Sequence, residues 1–307
     1  MIQEQSMTWD FDLIDGPYSG SIEGPAWDGS GLLFTHIPAS KIMRFDPKLG
    51  KSSIFRSNTN NANGLIFDKT GNLFACEGGA RRVVKYNQNN TTVEIAHRFT
   101  KRKLNIPNDL AIHHNGSIWF TDPYYEGAGG PWSEDRTAKE LEHDSVYRLD
   151  PNDDGTWSII RVTFDTSKPN GILFSLNYET LYVAQSGKEP SELRQLRAYP
   201  INPDYSLGTF TIIHDFGPHR GVDGMVLDTS GNIIATAGFN QSGPGPIIYV
   251  FSPEGTILDQ HKFPSDRPTN CTFGGDDLNT LYVTTGEGYL YSAKTELQGR
   301  LDYPGLI

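Results

Sequence analysis

Six oxygen-bearing side chains recur along this chain, each just before a short apolar segment: Glu23, Asn63, Asn108, Asn170, Asp223 and Asn270. Carboxylate and amide oxygens in such a series suit a hard divalent cation, and two carboxylates brought together without a counter-charge would repel and lose hydration. A cation held there is a Lewis acid that polarises a carbonyl or phosphoryl oxygen towards attack by water. Ca2+ fits an all-oxygen set best, with Mg2+, Mn2+ or Zn2+ as alternatives. The set holds no His or Cys, which argues against structural zinc. The plainer reading is turn chemistry, since Asn-Gly and Asp-Gly are common in tight turns. Against it, Pro107-Asn108, Pro169-Asn170 and Pro268-Thr269-Asn270 set the amide at the head of an apolar strand.

The segments that carry these residues begin EGPAWDGSGLLF, NGLIFDKTGNLF, NDLAIHHNGSIWF, NGILFSLNYETLYV, DGMVLDTSGNIIA and NCTFGGDDLNTLYV, spaced 40 to 62 residues apart. In the second, Gly64 to Phe67 reads as a strand, Asp68 to Gly71 as a hairpin turn and Asn72 to Cys76 as the returning strand. Arg82 to Tyr86 alternates as a third strand, and Thr91 to Ile95 gives a fourth. Four antiparallel strands per unit make a propeller blade, and repetition at this period marks units that bury their apolar faces only by stacking.

The expectation is an all-β, six-bladed β-propeller with a central metal site, one domain over residues 1–307. The first strand of each blade lines the channel, so the six leading residues converge at one end of it. The sixth unit lacks a good fourth strand, and the alternating segment at residues 8–13 is expected to complete it and close the ring.

Composition agrees and excludes other classes. Gly and Pro total 32 and 19, suited to short strands and tight turns. The formal net charge is −11 with scattered Lys and Arg, which offers nucleic acid no basic stripe. No apolar run approaches the roughly 18 residues of a membrane span, and the start lacks a secretion signal, so a cytoplasmic protein is expected. Oligomeric state stays open. Cys76 and Cys271 read as buried apolar residues, with a disulfide the lesser alternative. His113 and His114, if both on a strand, face opposite ways. The best helix candidate is Glu134 to His143, inside a long insertion from Glu126 to His143 that reads equally as a lid, with Trp132 closing on a ligand, or as a plain surface loop.

The segments PNDLAIHHNGSIWFTDPYY, PNGILF, VDGMVLDTSGNI and TNCTFGGDDLNTLYVTT resemble the SMP-30/gluconolactonase family over nearly the whole chain, in register with the six repeats. The resemblance is greatest to the bacterial and fungal gluconolactonase branch. It implies a propeller with a metal in the channel that hydrolyses sugar lactones. Matched motif by motif, it implies Glu23, Asn170 and Asp223 as metal ligands, with Asn108 on the metal or the substrate. Some members carry an Arg two residues before that Asn, where this chain has Ile106. Arg81 and Arg82 are candidates to replace it, and Asn63, Tyr124 and Glu126 are further substrate-binding candidates.

The chemistry expected is water attack on a polarised lactone carbonyl, with Asp223 as the general base or a metal-bound hydroxide as the nucleophile. The partner is then a small-molecule lactone. A calcium-dependent phosphotriesterase and a non-catalytic binding propeller are the alternatives, since fold alone does not establish activity.

Overall fold

A computed structural model describes residues 8–304 of the chain. Among them, six four-stranded antiparallel sheets follow one another in a ring, a six-bladed β-propeller. Blade 1 is Ile22–Trp27, Leu32–His36, Lys41–Asp46 and Lys51–Ser57, and blade 2 is Ala62–Phe67, Leu73–Glu77, Arg82–Tyr86 and Thr92–Ala96. Blade 3 is Leu110–Ile112, Ile118–Asp122, Ser145–Pro151 and Trp157–Arg161, and blade 4 is Pro169–Phe174, Thr180–Ser186, Arg194–Pro200 and Thr211–Asp215. Blade 5 is Val222–Leu227, Ile233–Phe239, Ser242–Phe251 and Ile257–Lys262. In blade 6, Pro268–Gly274, Thr280–Thr285 and Leu290–Lys294 are joined by Asp12–Asp15, which pairs Asp12 with Ser292 and Leu13 with Tyr291.

Burial falls outward along each blade. Ile22–Trp27 is buried throughout, whereas Lys51–Ser57 at the rim is mostly exposed. The core is therefore shared between blades rather than held in one centre. Phe74 and Cys76 of blade 2 pack against Leu110, Phe120 and Tyr147 of blade 3, and Ile172 and Val183 of blade 4 against Trp119 of blade 3. Each blade buries an apolar face only through its neighbours.

The two chain ends meet. Trp9 is buried, its ring stacked 3.7 Å from that of His261 on blade 5, and its indole N–H donates to Glu296 at 2.9 Å. The strand that pairs with blade 6 covers 12–15 rather than 8–13, because Trp9 is drawn sideways onto blade 5. Residues 1–7 and 305–307, part of the span expected as one domain, lie outside the described residues.

Beyond Lys294 the chain crosses the face opposite the leading residues. The Gln298 carbonyl accepts from the Thr229 amide at 2.8 Å, and the Arg300 amide donates to the Leu227 carbonyl at 2.9 Å. Asp302 accepts from the Tyr178 hydroxyl at 3.0 Å, and the Tyr303 ring lies 5.3 Å from that of Phe67. Residues Arg300 to Tyr303 thus floor a channel cavity of about 160 Å3, walled by the first strands of all six blades.

Two local expectations fail. Glu134 to His143 is not an α-helix; the insertion holds only 3-10 turns at Pro131–Ser133 and Arg136–Ala138, and the backbone on either side of the second turn, at Asp135 and Lys139, is extended. His113 and His114 are not on opposite faces: the strand ends at Ile112, and their rings lie 4.2 Å apart in the turn, both against Tyr178. Cys76 and Cys271, in contrast, are as expected: both are buried and form no disulfide.

Candidate functional site

Five of the six leading residues sit where the first strand departs from regular pairing, and in blade 3 Asn108 stands just before the strand, its amide donating to the Thr121 carbonyl at 2.9 Å. Register shifts fall between Glu23 and Ala26, Ala62 and Leu65, Pro169 and Ile172, Val222 and Met225, and Pro268 and Asn270. Such irregularities re-aim side chains, and here they turn the leading residues towards the axis. The carbonyls released from pairing are taken up by hydroxyls: Thr35 donates to the Asn63 carbonyl at 3.0 Å, and Thr236 to those of Gly224 and Thr269 at 3.0 Å each.

The residue after the leading one decides how tightly the ring closes. A Cβ at Gly171 would run into the Asp223 carbonyl, and one at Gly224 into the Asn270 side chain. Gly24 and Gly64 meet Asn63 and Asn108 in the same way. Glycine here lets consecutive blades bring their leading residues side by side. In blade 3 that place is taken by Asp109, so a third carboxylate enters the channel. Its oxygen lies 3.4 Å from the Asn270 amide of the opposite blade.

Glu23, Asp109 and Asp223 feel one another. Burial, then the charges of Asp223 and Asp109, push the Glu23 carboxyl well above the usual carboxylate range. Burial pushes Asp109 up to about 7, against the opposing hydrogen bonds of the Leu110 and Asn270 amides. Burial also raises Asp223, while the charges of Arg220 and Lys188 and the Asn170 amide pull it down. The Arg220 guanidinium lies 2.5 Å from the Asp223 carboxylate and is itself held by the carbonyls of Gly238 and Pro268 at 3.0 Å each.

The donor set suits a divalent cation. Among the described residues no three His, Cys, Asp or Glu side chains form a metal cluster, so the carboxylates of Glu23 and Asp223 are the charged oxygens a cation would find here. Glu23 and Asp223 supply the charge, and the Asn170 and Asn270 amides stand beside them. Burial raises all three carboxyls, and neighbouring carboxylates add to the shift at Glu23 and Asp109; a cation would oppose both effects.

The other predicted residues divide. Asn108 is buried and Asn63 partly so, and the Asn108 carbonyl accepts from the Gly64 amide at 2.8 Å, which sets both in the ring. Arg82 does not reach the channel: its guanidinium is paired with Glu77 at 2.7 Å and Glu94 at 3.3 Å within its own blade. Tyr124 points into the insertion, where its hydroxyl donates to the Asp135 carbonyl at 2.7 Å. Glu126 is exposed and lies 3.6 Å from Arg136.

Arg81 is spent on holding the insertion. Its guanidinium lies 4.5 Å over the Trp132 ring and donates to the carbonyls of Leu104 and Ala138, while the Trp132 indole donates to the Gly79 carbonyl at 3.0 Å. Trp132 is therefore fastened to blade 2 in this state rather than turned over the channel.

Four residues at or near the site were not singled out from sequence: Asp109, Tyr125, Lys188 and Arg220. Tyr125, next to Tyr124, faces the channel instead, with its hydroxyl 3.5 Å from the Asn170 amide and donating to the Ser186 carbonyl at 3.1 Å. The Lys188 ammonium lies 4.7 Å over the Tyr125 ring. Asp109 was legible as the acid standing where four other units have Gly.

Comparison with known proteins agrees with this architecture. The chain is 27% identical over 288 residues to a gluconolactonase of Zymomonas mobilis, covering 85% of this chain and 75% of that protein. It is 26% identical over 276 residues to the pentonolactonase XacC of Haloferax volcanii, covering 87% and 81%. A solved gluconolactonase from Xanthomonas campestris superposes with a TM-score of 0.77 at 25% identity, over 94% of this chain and 89% of that one. Residues 22–287, from the first strand of blade 1 almost to the end of blade 6, match the SMP-30/gluconolactonase/LRE-like region, and the chain belongs to that family.

Proposed function

We propose that this protein hydrolyses the ring ester of sugar lactones, with a divalent cation, Ca2+ first, held by Glu23, Asp223 and Asn170 and flanked by Asn108 and Asn270. The observation that carries the reading is the convergence of Glu23 and Asp223 with the Asn170 and Asn270 amides in a ring closed by glycines. The gluconolactonase and pentonolactonase relatives support the substrate class.

When bound, the cation would draw electron density from the lactone carbonyl and stabilise the oxyanion that forms on water attack. Asp223 takes the proton of the attacking water as the new C–O bond forms. It returns that proton to the ring oxygen as the ring C–O bond breaks, leaving an open-chain hydroxy acid. Arg220 fixes the orientation of this carboxylate, and its charge opposes the burial that would otherwise favour the protonated form. Asn170 holds the other flank of Asp223, and Tyr125 braces Asn170. Asn63 and Asn108, at adjoining places in the ring, are set to meet substrate hydroxyls. Ile106 is buried and apolar, so it makes no such contact.

The test is a pH-indicator assay with γ- and δ-lactones of sugar acids and an organophosphate triester, each with and without chelator, because ring opening releases a proton. Chelator-sensitive turnover of lactones is the expected result. Turnover of the triester alone would favour a phosphotriesterase, and turnover of neither would leave a binding propeller.

A further inference from the structure

We propose that Lys188 selects sugar lactones that carry a further anionic group, whether carboxylate, phosphate or sulfonate. The inference rests on the lactonase reading and adds a substrate class to it.

Lys188 lies in the segment between the second and third strands of blade 4, on the side of the ring where the leading residues stand. Its ammonium is over the face of Tyr125, whose hydroxyl is in turn 3.5 Å from the Asn170 amide. One aromatic ring therefore separates this cation from the candidate metal ligands. The charges of Asp223, Arg220, Lys168 and Arg267 all bear on it, one anion and three cations.

The neighbouring cations are largely committed. Lys168 is paired with Asp144 at 2.9 Å and Glu192 at 3.4 Å, and Arg220 with Asp223. Arg194 donates to the carbonyls of Lys188, Glu189 and Glu192. Among the described residues the Lys188 ammonium alone in this group has no oxygen acceptor. An aromatic face attracts a cation but leaves its three N–H donors without lone pairs. A ligand oxygen is what this arrangement lacks, and an anionic one matches its charge.

The charges of Lys168, Arg220 and Arg267 are matched by Asp144, Glu192, Asp223 and Asp266, so Lys188 holds the charge left over for a ligand.

The experiment compares an aldonolactone with its counterparts bearing a terminal phosphate, sulfonate or carboxylate, using the Ca2+-loaded protein. The expected result is a kcat/KM higher for the anionic lactones by roughly three- to tenfold, a preference that shrinks as salt is raised. Lys188→Met should bring the anionic-to-neutral ratio close to unity and Lys188→Glu below it. A second readout is calorimetric binding of the open-chain acid, with and without its terminal phosphate, to chelator-treated protein, where Lys188→Met should weaken the phosphorylated acid more. Turnover of the neutral lactone with no anionic preference, or a ratio unmoved by Lys188→Met, overturns this inference and leaves the lactonase reading standing. Absence of turnover with every lactone overturns that reading, and the substrate class with it.

Discussion

Asp109 and Asn270 lie 161 positions apart in the chain and come together across the channel, the Asn270 amide 3.4 Å from the Asp109 carboxylate. They belong to blades 3 and 6, which face each other in the ring, so this contact spans its full width. Because Asp109 also adds to the electrostatic load on Glu23, it contributes charge to the centre without being one of the expected ligands. Asp109→Asn should keep the hydrogen bond and lose the charge. We expect Ca2+ affinity to fall several-fold, equivalent to about 1 kcal/mol, measured by calorimetric titration.

Glu23 and Asp223 should separate under mutation. Glu23→Gln removes ligand charge, so activity should fall at low Ca2+ and return in part when the ion is in excess. Asp223→Asn removes the proposed base as well, and kcat should drop by roughly 10²- to 10⁴-fold even with the ion bound. Rates measured across a Ca2+ series distinguish the two, and full activity of Asp223→Asn would exclude it as the base.

The raised carboxyls make stability depend on pH in a definite sense. Asp109 titrates at about 7 in the folded chain, and Glu23 is pushed well above its ordinary range. Above the ordinary carboxylate range the unfolded chain loses these protons first, so their contribution to stability is present at low pH and is lost as pH rises through the folded value. A bound cation reverses the penalty by favouring the charged forms. The gap between the melting temperatures of Ca2+-loaded and chelated protein should therefore widen from pH 5 to pH 8. A gap that is constant or shrinks over this range would exclude the carboxyls as the origin.

Gly224 tests the spacing of the ring. Its missing Cβ leaves room for the Asn270 side chain, so Gly224→Ala should push Asn270 away from Glu23 and Asp109. A loss of about 1–3 kcal/mol of stability is expected from denaturant unfolding, together with weaker Ca2+ binding. Gly50→Ala is the control for a glycine with open space around its Cβ position, since it should cost backbone strain alone.

Trp9 tests how the ring is held shut. It is buried against His261 and bonded to Glu296, so Trp9→Ala should destabilise the protein by about 3 kcal/mol. The strand Asp12–Asp15 would remain, and the unfolding transition should stay cooperative while moving to lower denaturant. An unchanged midpoint would mean that Trp9 adds nothing to closure.

The repeats were legible because strand, turn and strand leave a pattern of period two broken by Gly, Asp and Asn. The leading residues were legible because they recur in register. What escaped was side-chain direction around them. Tyr124 and Tyr125 are neighbours of the same type, yet one turns into the insertion and the other into the channel. Arg82 looked free in sequence, but Glu77 and Glu94, close to it only once the blade forms, take up its charge. Arg220 and Lys188 come from connecting segments whose course no periodicity records. The irregular pairing that aims the leading residues is likewise a property of the folded sheet.

The segment from Arg300 to Tyr303, laid across the far face of the ring, gives the molecule a front and a back. On the lactonase reading, the route in and the route out both lie on the other side of the ring, where Lys188 stands. A lactone must arrive where the freshly opened acid departs, so traffic through the proposed site is two-way at a single door. Product that lingers at such a door blocks the next arrival, and turnover is then paced by departure as much as by chemistry.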